Sequence, residues 1–507
     1  MKFHALLFGV RLIPFHRSSG THRIATFLRS HDWDIEVCDF TSAWPLESLK
    51  EYARSRITSD TKFIGFSVFI NYWSEDLNLF IKWLKENYPD VKTVIGGQSV
   101  LITAANPLYV DFWVDSYGEL AMLELVQYII GTKQNIQFDM NQRLSGKKVI
   151  KALHTYPSWN LGNYQNKLEK RDFLEPQEWL TTELARGCKF KCDFCNFPIL
   201  GVKNDVSRDA DNFKEELIYH YNEFGIKHYY LADETINDRT EKLIKFADVV
   251  QDLDFDPFFS GFMRADLLIT RKQDWEHLIR MRLGGHYYGI ESMNNPSAKV
   301  VKKGMNTERL QTGILDWKRY VENKMPYRGT MSFIIGLPYE SQDTWYKTKQ
   351  WLYDNWRDQA VVVFPLDLSD AHDPEKWTNV SDFSKNLMKY GIQEMTAQEI
   401  TKAHNRYHSA RLDESGDRFF WFHKKTYFWK HDTMNYVQAQ SLANDFWMND
   451  WIDYKIESWE LGNAWIYDNN LTEIEDIYKI RSLNGMKLSA TDFIFRYINK
   501  KFNWKSS

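Results

Sequence analysis

Three of the four cysteines fall within eight residues, in the run Arg186-Gly187-Cys188-Lys189-Phe190-Lys191-Cys192-Asp193-Phe194-Cys195. At spacings of four and three, Cys188, Cys192 and Cys195 can converge from one loop. Thiolates are soft ligands, so this trio suits iron and sulfide. A cuboidal four-iron cluster held by three cysteines leaves one iron open to a substrate or cofactor. Structural zinc closes its shell with four ligands. Cys38 belongs to a different predicted domain, which leaves His220 or His228 to complete a zinc site. Thiols bunched in this way make a metal site and not a disulfide framework.

The rest of the composition sets the scale on which that loop must be held. At ~150 residues per domain, 507 residues make about three domains. The 64 Lys and Arg nearly cancel the 68 Asp and Glu, leaving −4, so no chain-wide field draws in polyanions and nucleic-acid coating is not expected. Apolar residues at 43%, with only 24 Gly and 13 Pro, describe a folded chain and exclude a fibrous or disordered one. The longest uncharged run, 93–110, contains Gly96, Gly97, Gln98, Asn106 and Pro107, and reads as strand, turn and loop. The N-terminus lacks a signal-peptide pattern. A cytoplasmic protein with no membrane partner is the expectation.

The elements that position the cysteines follow from hydrophobic periodicity. Over 1–131, apolar runs at 4–10, 35–40, 63–70 and 91–95 alternate with helical patterns, one of them capped by Ser74 and ending before Pro89. This predicts a Rossmann-like doubly wound parallel sheet with ligands beyond the strand carboxyl ends. There Gly96-Gly97 marks either a ligand loop or a plain tight turn. Residues 132–178 read as a polar linker. From 179 to 364, strands at 180–185, 228–231, 258–262, 286–290, 327–335 and 360–364 alternate with helices, which predicts a partial (β/α)6 barrel with its chemistry at the strand carboxyl ends. Residues 365–507 form a mostly helical, aromatic-rich C-terminal domain, expected to cover the barrel mouth. Within it, 418–431 interleaves cations with rings. That pattern suits either stacked bases or an amphipathic element packed on the barrel.

The cysteine spacing, Phe194 before the last cysteine and the position after a first barrel strand resemble the radical S-adenosylmethionine (SAM) superfamily. Leu231-Ala232-Asp233-Glu234-Thr235, Arg264-Ala265-Asp266-Leu267, Gly289-Ile290-Glu291-Ser292, Lys303-Gly304 and Ile335-Gly336-Leu337-Pro338 follow in the order of its subgroup with an N-terminal cobalamin-binding-type domain. Gly65-Phe66-Ser67, Gly96-Gly97, Val114-Asp115 and Gly118-Glu119 are similar to that subgroup's N-terminal landmarks. The resemblance spans about 20–345. Two departures stand out: there is no D-x-H-x-x-G, hence no histidine offered as a lower cobalt ligand, and Tyr339 replaces a usual glycine.

The resemblance implies a 4Fe-4S cluster on Cys188, Cys192 and Cys195. It also implies SAM chelated to the open iron and cleaved reductively to a 5′-deoxyadenosyl radical, and an external electron donor such as flavodoxin or ferredoxin. Asp233 or Glu234 would accept from the SAM ammonium, unless they simply cap a helix. Arg264 would pair with the SAM carboxylate, unless Asp266 claims it. Glu291 and Ser292 would hold ribose or methionine, and a buried Glu291 requires a ligand or a basic partner. Gly336 would let the backbone approach adenine. Lys302 and Lys303 read as a solvated turn. Cobalamin either binds the N-terminal domain without a histidine ligand or has been lost from an empty scaffold. The reaction implied first is methylation of an unactivated carbon. Cobalamin-independent rearrangement or oxidation stands beside it, as does, from another class, a noncatalytic metal-stabilised binding module. The sequence names no substrate.

Overall fold

A computed structural model describes residues 3–10, 17–68, 73–97, 107–115, 117–136, 138–141, 147–151, 165–176, 178–195, 206–303, 305–368, 381–407, 427–446 and 483–504. The first sheet comprises β1 (Phe3–Val10), β2 (Trp33–Cys38), β3 (Thr61–Val68), β4 (Lys92–Gly96), β5 (Phe112–Asp115), β6 (Asp139–Asn141) and β7 (Lys147–Lys151). Its order is β2-β1-β3-β4-β5-β7-β6, parallel except for β6 against β7. The sheet therefore continues past residue 131, and the stretch read as a linker supplies two of its strands. Short polar strands at a sheet edge carry almost no hydrophobic pattern, which is why 139–151 looks irregular in sequence.

Strands β1, β3 and β4 read as apolar runs because helices cover both faces. Leu7, Ile35 and Phe63 are buried with α1 (Ser19–Arg29) and α4 (Glu119–Ile129) on one side; Phe8, Ile64 and Phe66 are buried with α2 (Leu46–Arg56) and α3 (Glu75–Asn87) on the other. Ser74 caps α3 as its sequence requires, accepting from the Leu77 amide. At Gly97, φ is +125° and an added Cβ would fall 2.2 Å from the Val68 carbonyl oxygen, so the turn requires glycine here.

The second sheet is β15-β14-β13-β12-β11-β8, wholly parallel. Its strands are β8 (Trp179–Thr182), β11 (His228–Leu231), β12 (Phe258–Met263), β13 (Leu283–Glu291), β14 (Arg328–Ile335) and β15 (Ala360–Pro365). The first expected strand is shorter than anticipated: Ala185–Arg186 (β9) leaves it to pair antiparallel with Val206–Ser207 (β10).

Among the described C-terminal residues, helices Ala397–Tyr407 and Tyr436–Asp445 accompany a small antiparallel sheet of β16 (Gln393–Glu394), β17 (Trp429–His431) and β18 (Met434–Asn435). The final helix, Leu483–Asn503, does not cover the barrel. It buries Phe493 and Tyr497 among Phe40, Trp44 and Tyr52 of the N-terminal sheet layer. No helix among the described residues is long and apolar enough to cross a membrane.

Candidate functional site

The cysteine loop leaves β8 and β9 at the carboxyl rim of the barrel, where the ends of β11, β12 and β13 also lie. Cys188 Sγ is 3.9 Å from the Thr235 hydroxyl beyond β11, and the Cys195 amide donates to the Cys192 carbonyl, closing a turn at 3.1 Å. Burial pushes the Cys188 thiol above its ordinary pKa. None of the three is in a disulfide. Among the described residues, no three His, Cys, Asp or Glu side chains are close enough to share a single metal ion, which disfavours the zinc reading with His220 or His228. A cuboidal cluster asks for something else, since its thiolates bind three separate irons. Three soft sulfurs on one loop, with a guanidinium beside one of them, fit such an anionic group.

That guanidinium is Arg264, at the end of β12. Its Nη1 donates to Cys192 Sγ at 3.5 Å and its Cζ lies 4.1 Å from the centroid of the Phe190 ring. Its Nε and Nη2 donate to both Asp266 oxygens at 3.0 and 2.7 Å. Arg264 thus reaches the cysteine loop, with two of its donors in the ion pair that competes with a cofactor role.

The two acidic candidates after β11 part company. Asp233 is 1% exposed and accepts from the Leu184 amide at 2.8 Å, which fixes the turn that launches the cysteine loop. Glu234 is only half-buried. Around them the field is acidic. Glu183 is driven well above its ordinary pKa by burial and then by Glu119, Asp233 and Glu234.

Glu291 closes β13 in a left-handed conformation, φ +64°, rare for a residue with a side chain. Its basic partner is Lys303, whose ammonium donates to Glu291 Oε1 at 2.6 Å and to the Gly289 carbonyl at 2.8 Å. This corrects the solvated-turn reading of Lys303, whose side chain is 12% exposed; Lys302, at 57%, does face solvent. Lys-Gly in a polar context reads as a turn, and only the fold reveals a buried carboxylate in front of it.

Ser292 donates to Glu340 Oε1 at 2.8 Å, and the Gly336 amide donates to Glu340 Oε2 at 2.8 Å. Burial raises Glu340 to a pKa of about 7 against these two hydrogen bonds. Sequence reasoning passed over Glu340 as a site residue, although its place four residues after Gly336 was the available signal. Gly336 has φ +94°, and an added Cβ would lie 2.2 Å from Trp429 Cη2. Its freedom from a side chain is thus claimed by the C-terminal hairpin. Trp429, 0% exposed, donates to the Leu366 carbonyl at 2.7 Å, and His431 Nε2 lies 3.1 Å from the Gly336 carbonyl oxygen. This part of the aromatic segment packs on the barrel; 418–426 lie outside the described residues. Tyr339 takes the usual glycine's place at φ +68° but is 63% exposed, so its ring points away from the buried end of β14.

The site also meets the first sheet. Arg186, from β9, donates to Glu119 Oε1 at 2.8 Å, and Arg23 donates to the same atom at 3.1 Å. Burial alone would raise Glu119, but the two guanidiniums hold it below its ordinary value.

Residues 182–352 match the family described as the radical SAM superfamily. A tRNA-2-methylthio-N(6)-dimethylallyladenosine synthase of Natranaerobius thermophilus is 24% identical over 339 residues, covering 64% of this chain and 69% of that protein. Two solved structures share the fold. The radical SAM methyltransferase TsrM from Kitasatospora setae has 14% identity and a TM-score of 0.58, over 78% of this chain and 79% of that one. The cobalamin-dependent SAM radical enzyme OxsB, with aqua-cobalamin and SAM bound, has 14% identity and a TM-score of 0.60, over 99% of this chain and 79% of that one.

Proposed function

We propose that this chain, which belongs to the radical SAM superfamily through its domain at residues 182–352, cleaves SAM reductively and uses the resulting radical to methylate an unactivated carbon with cobalamin. The observation that carries the reading is the three-cysteine loop lying on the same barrel rim as Arg264, Glu291 and Ser292. The cluster, when bound, supplies the electron that converts SAM to methionine and a 5′-deoxyadenosyl radical.

Cys188, Cys192 and Cys195 hold the cluster in this reading. Glu234, half-buried beyond the end of β11, accepts from the SAM ammonium. Asp233 keeps its place beneath the loop. Arg264 meets the SAM carboxylate with the Nη1 that now faces Cys192, while Asp266 keeps its plane oriented. Lys303 holds the Glu291 carboxylate at the strand end, where it can accept from ribose hydroxyls. Glu340 fixes Ser292 and the Gly336 amide together, so the β13 and β14 ends move as one wall. The first sheet would take cobalamin beyond the carboxyl ends of its strands with no histidine offered to the cobalt, and Arg186 with Glu119 ties that sheet to the barrel rim. The electron comes from an external carrier such as a flavodoxin or ferredoxin.

Support for cobalamin over a cobalamin-free rearrangement or oxidation lies in the two-sheet architecture shared with OxsB. Anaerobic reconstitution of the full chain is expected to yield about four irons per chain, 5′-deoxyadenosine on reduction with SAM, and retained hydroxocobalamin after dialysis. Loss of the iron in Cys192→Ala is expected as well. Stoichiometric zinc without iron would overturn the enzyme reading. Iron and 5′-deoxyadenosine with no retained corrin would leave the cobalamin-free alternative.

A further inference from the structure

The cysteine loop is not closed by the barrel alone. Asp193, between Cys192 and Cys195, is 5% exposed and is fastened from two directions. Lys302, from the turn after β13, forms an ion pair with it, and the Tyr390 hydroxyl donates to its Oδ2 at 2.8 Å. The Phe383 amide donates to its carbonyl at 3.1 Å. Residues 381–390 of the C-terminal region are thereby seated against the outer side of the loop.

This seating brings Lys389 near Lys302, which feels both Asp193 and the Asp382 that pairs with Lys389. Lys189 and Lys191 are exposed on the loop itself, Lys299 and Lys302 on the turn and helix after β13, and Lys385 and Lys389 on the seated segment. The acidic groups nearest these lysines among the described residues are already engaged. Asp193 is buried under Lys302, Asp382 pairs with Lys389 at 2.9 Å and also lies against the Tyr390 hydroxyl, and Asp238 lies behind Lys189 at 4.0 Å. Met388, between the last two lysines, is 82% exposed. A cationic rim around an exposed methionine has the composition of an interface: charge for steering, an apolar knob for contact. The chain as a whole carries −4, so an acidic partner gains attraction only from a local patch of this kind.

We propose that this face, comprising Lys191, Lys299, Lys302, Lys385, Met388 and Lys389, is the docking surface for the acidic one-electron carrier that reduces the cluster. The proposal rests on the radical SAM reading, since it presumes a cluster on the three cysteines. The patch puts the carrier directly over that loop, whose inner side is turned toward Arg264 and Thr235. One electron passes from the reduced carrier to the oxidised cluster, and the carrier leaves one electron poorer.

The test uses the anaerobically reconstituted full chain, photoreduced bacterial flavodoxin as the carrier probe and dithionite as a small reductant that needs no docking. Bleaching of the cluster absorption is followed by stopped flow. The double substitution Lys299→Glu and Lys385→Glu, at two exposed positions away from the cysteines, is expected to lower the second-order rate with flavodoxin by about tenfold at low salt. The wild-type rate should fall as salt rises and the variant rate should stay nearly flat. Iron content and dithionite reduction should match in both proteins. Equal flavodoxin rates in wild type and variant would overturn the docking surface while leaving the cluster in place. Failure of dithionite to bleach any cluster in the wild type would instead overturn the functional reading beneath it.

Discussion

At the scale of single residues, the rim is organised by carboxylates that each have one assignment. Asp233 braces the loop, Glu291 is matched to Lys303, and Glu340 ties Ser292 to the Gly336 amide. The last of these has a pH signature. Because burial raises folded Glu340 to about 7 from an ordinary value of 4.5, the native state keeps a proton that the unfolded chain has released between those values. Its contribution to stability is therefore full below about pH 4.5 and is lost as pH rises through about 7, a span worth about 3 kcal/mol. Glu340→Gln removes this titration. Denaturant unfolding at mildly acidic and neutral pH is expected to show wild type losing more stability than the variant on the way up. Parallel losses in the two proteins would remove Glu340 as the source. Asp367, also raised to about 7 by burial, titrates in both proteins and cancels in the comparison.

At the scale of elements, two C-terminal pieces are spent on different partners. The β17–β18 hairpin lies on the end of β14, and the final helix lies on the first sheet, where the Tyr497 hydroxyl is 2.9 Å from the Asp39 amide and accepts its proton. The hairpin contact leaves no room at Gly336. Gly336→Ala is expected to cost about 1–3 kcal/mol from overpacking against Trp429, with a further ~1 kcal/mol from the positive φ. Adding Trp429→Phe should return part of the first amount and none of the second. Thermal unfolding of the single and double variants measures this; an unperturbed Gly336→Ala protein would mean that the indole is not held there. The hairpin was not legible beforehand, because a three-residue strand in an aromatic run has no period to read. The barrel strands were legible, since each combines a buried apolar run with a glycine or charged residue at its carboxyl end.

At the scale of the whole molecule, a buried charge cluster joins parts of the chain far apart in sequence. Arg17, 2% exposed, donates to both Glu178 oxygens at 2.7 and 2.8 Å, to Asp39 at 2.9 Å and to the Asp172 and Phe173 carbonyls, with the Tyr497 ring 5.0 Å from its guanidinium. Burial would raise Asp39, yet His22 and Arg17 hold it at about 2; Glu178, despite Arg17, stays above its ordinary value because burial dominates. One guanidinium thus stitches the first sheet, the stretch before β8 and the last helix. Arg17→Met leaves the buried Glu178 carboxylate without its cation and Asp39 with His22 alone, and is expected to destabilise the protein by about 3–5 kcal/mol. Chemical denaturation and limited proteolysis near residue 178 would register the change, and an unchanged midpoint would contradict the role.

The sequence by itself determined the cysteine spacing and the two alternating strand-helix sheets save β6 and β7, and its motifs set Asp233, Glu234, Arg264, Glu291, Ser292 and Gly336 at strand ends. Those features are local: ligand spacing, hydrophobic period and residues placed at strand ends. What only the tertiary structure decided is who meets whom. Lys303 faces Glu291, Asp266 takes two donors of Arg264, Trp429 fills the space beside Gly336, and Asp193 is pinned by Lys302 and Tyr390. The end of the chain returns to Asp39 and Arg17 at its beginning. Such pairings are fixed by burial, where an unmatched charge or an unfilled gap costs several kcal/mol, and burial depends on elements that meet only after the chain has folded.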